Sequence, residues 1–106
     1  MISNERMDEA VRYLVEHDAI AAELKVEVER MDYRRKKIRA AHIQHGDGAM
    51  ELRKAVAENS ADYDKATTEW LEALAKSEAM QNKRKTEALV VDVWRSMNAN
   101  RRQGNV

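Results

Sequence analysis

Apolar residues along the chain recur at intervals of three and four rather than two, the spacing of one face of an α-helix. Met7, Ala10, Val11, Leu14 and Val15 make the first such stripe. Ser3 or Asn4 is placed to cap this helix, and Glu5, Asp8 and Glu9 lie near its positive N-terminal end, where acids are favoured. After it two arrangements are open: Asp18 caps a second helix, or the two helices run on through His17 with a bend. Over 19–45, Leu24, Val28, Met31 and Ile38 repeat at intervals of four, three and seven, a heptad stripe that passes over Arg35. Such a stripe predicts packing against another long helix. Gly46-Asp47-Gly48 is the one sharp turn signal and ends this helix.

A short helix over about 49–58 presents Leu52, Ala55 and Val56 on one side, and Asn59 or Ser60 is placed to cap the last helix, with Asp62 and Asp64 in its first turn. That helix is expected to run over 61–98. Its stripe begins Tyr63, Thr67, Trp70, Leu74, Ser77, turns polar at Gln81 and Arg84, and resumes at Ala88, Val91 and Trp94. At ~1.5 Å per residue it would be about 57 Å long. The expected fold is therefore all-α: an antiparallel long-helix hairpin, coiled-coil-like, with one or two short additional helices. It is read as one domain over 1–106, with a short helix at 1–17, a long helix at 18–45, a turn and short helix at 46–60, a long helix at 61–98 and a polar, frayed tail at 99–106.

Composition supports this reading. The 106 residues include no Pro, no Cys and only three Gly. Proline breaks helix interiors and glycine costs roughly 1 kcal/mol there relative to alanine, so long stretches are free to stay helical. The 36% of charged residues suits long helices better than a compact sandwich. No apolar run approaches the ~18 residues of a membrane span, and no signal-peptide core stands near the N-terminus. Absent cysteines fit a reducing compartment. A cytoplasmic location is expected, with no membrane association.

Net charge is zero, but it is segregated in blocks: nine acids against four bases over 1–33, five bases and no acid over 34–45, eight acids against four bases over 46–82, and six bases against two acids over 83–106. Local field decides binding more than net charge does. The run Arg34-Arg35-Lys36-Lys37-Ile38-Arg39 places five cations within six helical positions, so they wrap most of the circumference and repel one another. Either acids of a neighbouring helix answer them, Glu69, Glu72 and Asp64 being the candidates, or a polyanion does. Lys and Arg contacts to phosphate are the main source of sequence-independent nucleic-acid affinity. Lys83, Arg84 and Lys85 offer a second site, with Arg101-Arg102 beyond. Tyr33 beside the first run and Trp94 beside Arg95 are placed for base stacking near a cation.

Chemistry for catalysis is thin. Ser, His and acidic residues occur in no arrangement that activates a nucleophile, so an enzyme is not expected. His42 and His45 stand three apart on a helix, a spacing that holds metals, but two histidines near a helix C-terminus are more simply favoured by its dipole. No catalytic residue, metal, cofactor or small-molecule substrate is assigned. Trp70 and Trp94 both sit on apolar stripes, which points to packing. The apolar group Leu89, Val90, Val91, Val93 and Trp94 exceeds what one hairpin covers and predicts an interface between copies in a homo-oligomer.

Three features together carry a resemblance: the acidic-then-basic helix with Lys37-Ile38-Arg39, the Gly46-Asp47-Gly48 turn, and the second long helix ending Val93-Trp94-Arg95-Ser96-Met97-Asn98-Ala99-Asn100-Arg101-Arg102. The chain resembles the small helical proteins that phages encode beside their recombinases or annealing proteins, and more remotely the UvsY-type phage recombination mediators. That resemblance covers roughly 19–102. It implies an oligomer that binds single-stranded DNA, helps load a recombinase or assists an annealing protein, and displaces single-strand-binding protein in a bacterial host's cytoplasm. It assigns phosphate contact to Lys37 and Arg39; charge adds Arg34, Arg35 and Lys36. The rival expectations are a protein-protein interaction module, such as a phage inhibitor or adaptor of a host or defence protein, and a structural helical-hairpin subunit with no ligand.

Overall fold

The computed structural model of the chain describes residues 1–102 and 104. Four helices follow one another, α1 (Asn4–Glu16), α2 (Asp18–His45), α3 (Met50–Glu58) and α4 (Ala61–Arg102). No strand occurs among the described residues, and no described helix is long and apolar enough to cross a membrane. The expected all-α hairpin is the observed fold class. Two compact units divide the chain, one formed by Met1–Ala22 with Glu78–Val106, the other by Glu23–Ser77.

Helix ends follow from local chemistry. Ser3 caps α1, its hydroxyl oxygen accepting from the Arg6 N–H at 3.0 Å. The α1–α2 junction is a one-residue break at His17, whose carbonyl accepts the first bond of α2 from Ala21 N–H. His17 rather than Asp18 thus holds the cap position, and Asp18 lies in the first turn, where its charge meets the helix dipole. α2 stops at His45 before the glycine turn. Gly48 has φ of +91°, which disfavours a side chain, and a Cβ on Gly46 would stand 2.9 Å from the His42 carbonyl oxygen. Ser60 precedes α4, its carbonyl accepting from Asp64 N–H while its hydroxyl donates to the Ala57 carbonyl. α4 continues through Arg102, past the expected end at 98. Asn98 and Ala99 are half-buried and so still held, and Arg101 and Arg102 favour the last turn of a helix. The part of the expected tail at 103, 105 and 106 lies outside the described residues.

In the unit Glu23–Ser77, α2 and the first part of α4 run antiparallel, as the pairs Arg34–Glu69 and His42–Asp62 require. Leu24, Val28, Met31 and Ile38 are half-buried, as the heptad reading expects. On α4 the deepest positions are Ala66 and Ala73, 3% and 8% exposed, while Tyr63, Thr67, Trp70 and Leu74 flank them half-buried. Small residues at the contact let two helix backbones approach closely, and larger side chains then pack beside rather than between them.

In the other unit α1 runs antiparallel to the second part of α4, with Arg6 paired to Glu87 and Tyr13 to Met80. Ala10 is fully buried. The expected stripe position Ala88 is exposed, and its neighbour Glu87 is the buried one at 2%. The seam here runs through Met80, Glu87 and Trp94, seven apart as Ala66 and Ala73 are earlier on the helix, and the expected positions Val91 and Trp94 are half-buried. Val11 and Val15, expected on the inner face of α1, are 41% and 72% exposed. Met7, Ala10 and Leu14 of the expected stripe do line the inner face, continued by His17 and spaced three and four apart.

Candidate nucleic-acid interface

The basic run on α2 is answered unevenly. Arg34 reaches Glu69 on α4 at 3.1 Å, Arg39 reaches Glu58 at the end of α3 at 2.9 Å, and Arg35 and Lys36 both bind Asp32 at 2.8 Å. These partners hold the Asp32 carboxyl below the usual carboxylate range, through the hydrogen bond from Lys36 first and from Arg35 second. Of the candidate acids on α4, Glu69 is engaged by the run. Glu58, from the preceding helix, is a partner that helix periodicity alone did not single out.

Arg35 is half-buried between α2 and α4. Its guanidinium lies over the Trp70 ring at 4.0 Å and donates to the Tyr63 hydroxyl at 3.4 Å. The heptad stripe that seems to skip Arg35 in sequence in fact keeps it, because a guanidinium stacks on an aromatic face as a flat, weakly hydrated plate. Trp70 is thereby occupied by packing.

Three members of the run remain toward solvent. Arg34 and Lys36 have side chains 56% and 68% exposed despite their ion pairs, and Lys37 is exposed with its ammonium 4.9 Å from the Tyr33 ring centre. Tyr33 itself is 62% exposed. Lys36 and Lys37 follow it by three and four residues and share its face, while Arg34 adjoins it. One turn earlier Arg30 is paired with Glu27, and Glu29 is exposed nearby, so the positive field belongs to the turn from Tyr33 onward. An exposed aromatic ring with cations around it combines a stacking surface with phosphate ligands, and exposed ion pairs of this kind cost little to exchange for a phosphate. Tyr33 as the centre of the cluster was legible from its spacing to Lys36 and Lys37.

The second basic group serves the structure of its own unit. Arg84 donates to the Leu14 carbonyl at 2.8 Å and to Asp18 at 3.2 Å, so it satisfies an end of α1 and clasps the start of α2. Lys83 pairs with Glu87 at 2.9 Å and lies 5.3 Å from the Tyr13 ring centre. Lys85 is exposed and, among the described residues, makes no ion pair. Glu87, which sequence reasoning missed, receives two guanidinium bonds from Arg6 at 2.7 and 2.9 Å. Arg6 first and Lys83 second hold its carboxyl down to about 2 from an ordinary 4.5. Its seam position, seven residues after Met80, was the available signal.

The five apolar residues expected at a subunit interface separate. Val90, Val91 and Trp94 are half-buried, with Trp94 Nε1 donating to Asn4 Oδ1 at 2.8 Å, whereas Leu89 and Val93 are 61% and 39% exposed. His42 Nε2 donates to the Asp62 carboxylate at 2.8 Å, and this contact holds the Asp62 carboxyl below its ordinary range. His45 is exposed, and no cluster of three metal-ligating side chains occurs among the described residues. Comparison with protein-family models, curated proteins and solved structures gives no match, so the functional reading rests on these residues themselves.

Proposed function

We propose that the protein is a non-enzymatic accessory factor that binds single-stranded DNA through the outer face of α2 and assists a recombinase or annealing protein. The observation that carries this reading is the exposed Tyr33 ring with Arg34, Lys36 and Lys37 around it. A base stacks on the ring while the adjoining phosphates exchange with water and with the ion-pair partners of Arg34 and Lys36. A duplex keeps its bases stacked inside, so this arrangement favours single strands. Arg39, which the resemblance assigns to phosphate contact, is half-buried against Glu58, and its part is smaller than that of the exposed three. The recombination role rests on the resemblance of the chain to phage accessory proteins.

The test is fluorescence anisotropy of a labelled oligothymidine at low and at moderate salt. Affinity is expected to fall steeply with salt, by a slope of about 0.7 per phosphate contact. The Lys36→Ala, Lys37→Ala pair should lower that slope, and Tyr33→Ala should cost roughly 1–3 kcal/mol with the slope unchanged. Lys76→Ala, on an exposed part of α4, serves as the control. Absence of binding at low salt would put the protein-protein interaction module in first place.

A further inference from the structure

We propose that a second copy of this chain covers the outer face of the C-terminal part of α4, packed antiparallel about a twofold axis at Leu89. The inference stands apart from DNA binding and rests on a self-complementary pattern. Asn82, Lys85, Leu89, Asp92, Val93 and Ser96 are all exposed. With spacings of three, four and seven from Leu89, they share the face turned away from the buried Glu87 and half-buried Val91. Lys85 and Asp92 make no ion pair among the described residues, although they flank the most exposed leucine of α4.

Place Leu89 against Leu89 of an antiparallel copy and the rest of the face matches itself. Lys85, four residues before, falls opposite Val93, four residues after. Its methylene stem covers that valine, and its ammonium reaches the adjacent Asp92. Asn82, seven before, faces Ser96, seven after, as a hydrogen-bonding pair. The twofold axis repeats each contact, so two Lys85–Asp92 pairs bracket a central apolar patch of Leu89 and Val93 from both copies. An isologous contact of this kind closes at two subunits. The protomer gives a second reason for it. Every buried hydrophobic residue among those described is an alanine, and no large side chain is fully buried. A chain with so thin an apolar interior gains from any further cover.

Sedimentation velocity over micromolar to hundred-micromolar concentration reads the association of the full chain directly. Wild type should be in monomer–dimer exchange. Lys85→Glu alone and Asp92→Lys alone each place like charges in both symmetric pairs and should weaken the dimer at least roughly fivefold. Lys85→Glu combined with Asp92→Lys restores opposite charges and should return the dissociation constant to near that of wild type. Leu89→Asp should remove the dimer while circular dichroism stays helical, since the side chain is exposed. Monomeric wild type at every concentration overturns the proposal and leaves the face to a partner of another kind. Single reversals that dimerise as well as wild type, or a double reversal that fails to recover, overturn it too, by moving the contact elsewhere or breaking the twofold register.

Discussion

At position 87 a carboxylate occupies a place in the helical seam where an apolar side chain would pack without desolvating a charge. What the charge adds is direction: the two-pronged bond from Arg6 is made at one register of α1 against α4, while Lys83 supports the carboxylate from its own helix. Because the Glu87 carboxyl is held down to about 2, its contribution to stability is complete above its ordinary value of 4.5 and is lost as the pH falls through about 2. Urea midpoints measured between pH 6 and pH 2 should therefore decline more steeply for wild type than for Glu87→Gln, with the two curves converging at the acid end. Asp32 and Asp62 are lowered as well and add acid sensitivity to both proteins, so the difference between the curves is the quantity to read. At neutral pH Glu87→Gln should be the less stable, because Arg6 loses its charged partner. Parallel curves would mean that the carboxylate is not charge-paired in the folded protein.

The helices themselves meet through their smallest residues. Ala10 in α1 and Ala66 in α4 are 0% and 3% exposed, and each belongs to a different one of the two compact units. An isobutyl group in place of the methyl has no room at such a contact. Ala10→Leu and Ala66→Leu should each destabilise by roughly 1–3 kcal/mol through overpacking, as judged by urea denaturation. Ala88→Leu, on the exposed neighbour of Glu87, should be nearly neutral. That contrast separates the positions at the helix contacts from Ala88, which the expected stripe included and the structure exposes. Equal losses at 66 and 88 would show the α4 phase to be wrong.

For the molecule as a whole, the far-UV circular dichroism spectrum should be dominated by helix, well above half the residues, and should stay so in the Lys36→Ala, Lys37→Ala pair. Zero net charge conceals an uneven surface. The outer side of α2 around Tyr33 is cationic even after Asp32, Glu69 and Glu58 have taken their share of the run. Salt dependence, rather than net charge, is therefore what separates a polyanion ligand from a protein partner for this chain.

Helix content, the break after residue 45 and the half-buried heptad of α2 were legible in the sequence, because they depend on residue propensities, on glycine geometry and on spacing within one segment. Tyr33 and its lysines were legible for the same reason, since three- and four-residue neighbours on a helix need no other element to meet. Most of the α4 stripe was legible too: Ser77 is buried, and Tyr63, Thr67, Trp70, Leu74, Val91 and Trp94 are half-buried. What spacing did not give is that the small Ala66 and Ala73 lie deepest, and that Glu87, held by Arg6 of another helix, is buried beside the exposed Ala88. The fates of the basic residues were also settled in three dimensions. Arg35 is placed over Trp70, Arg84 at the end of α1 and Arg39 beside Glu58 by residues 19 to 70 positions away, while Lys36 and Lys37 keep to their own helix. A sequence lists charges, and only the packed helices decide which of them are already neutralised by a partner and which remain available to a ligand.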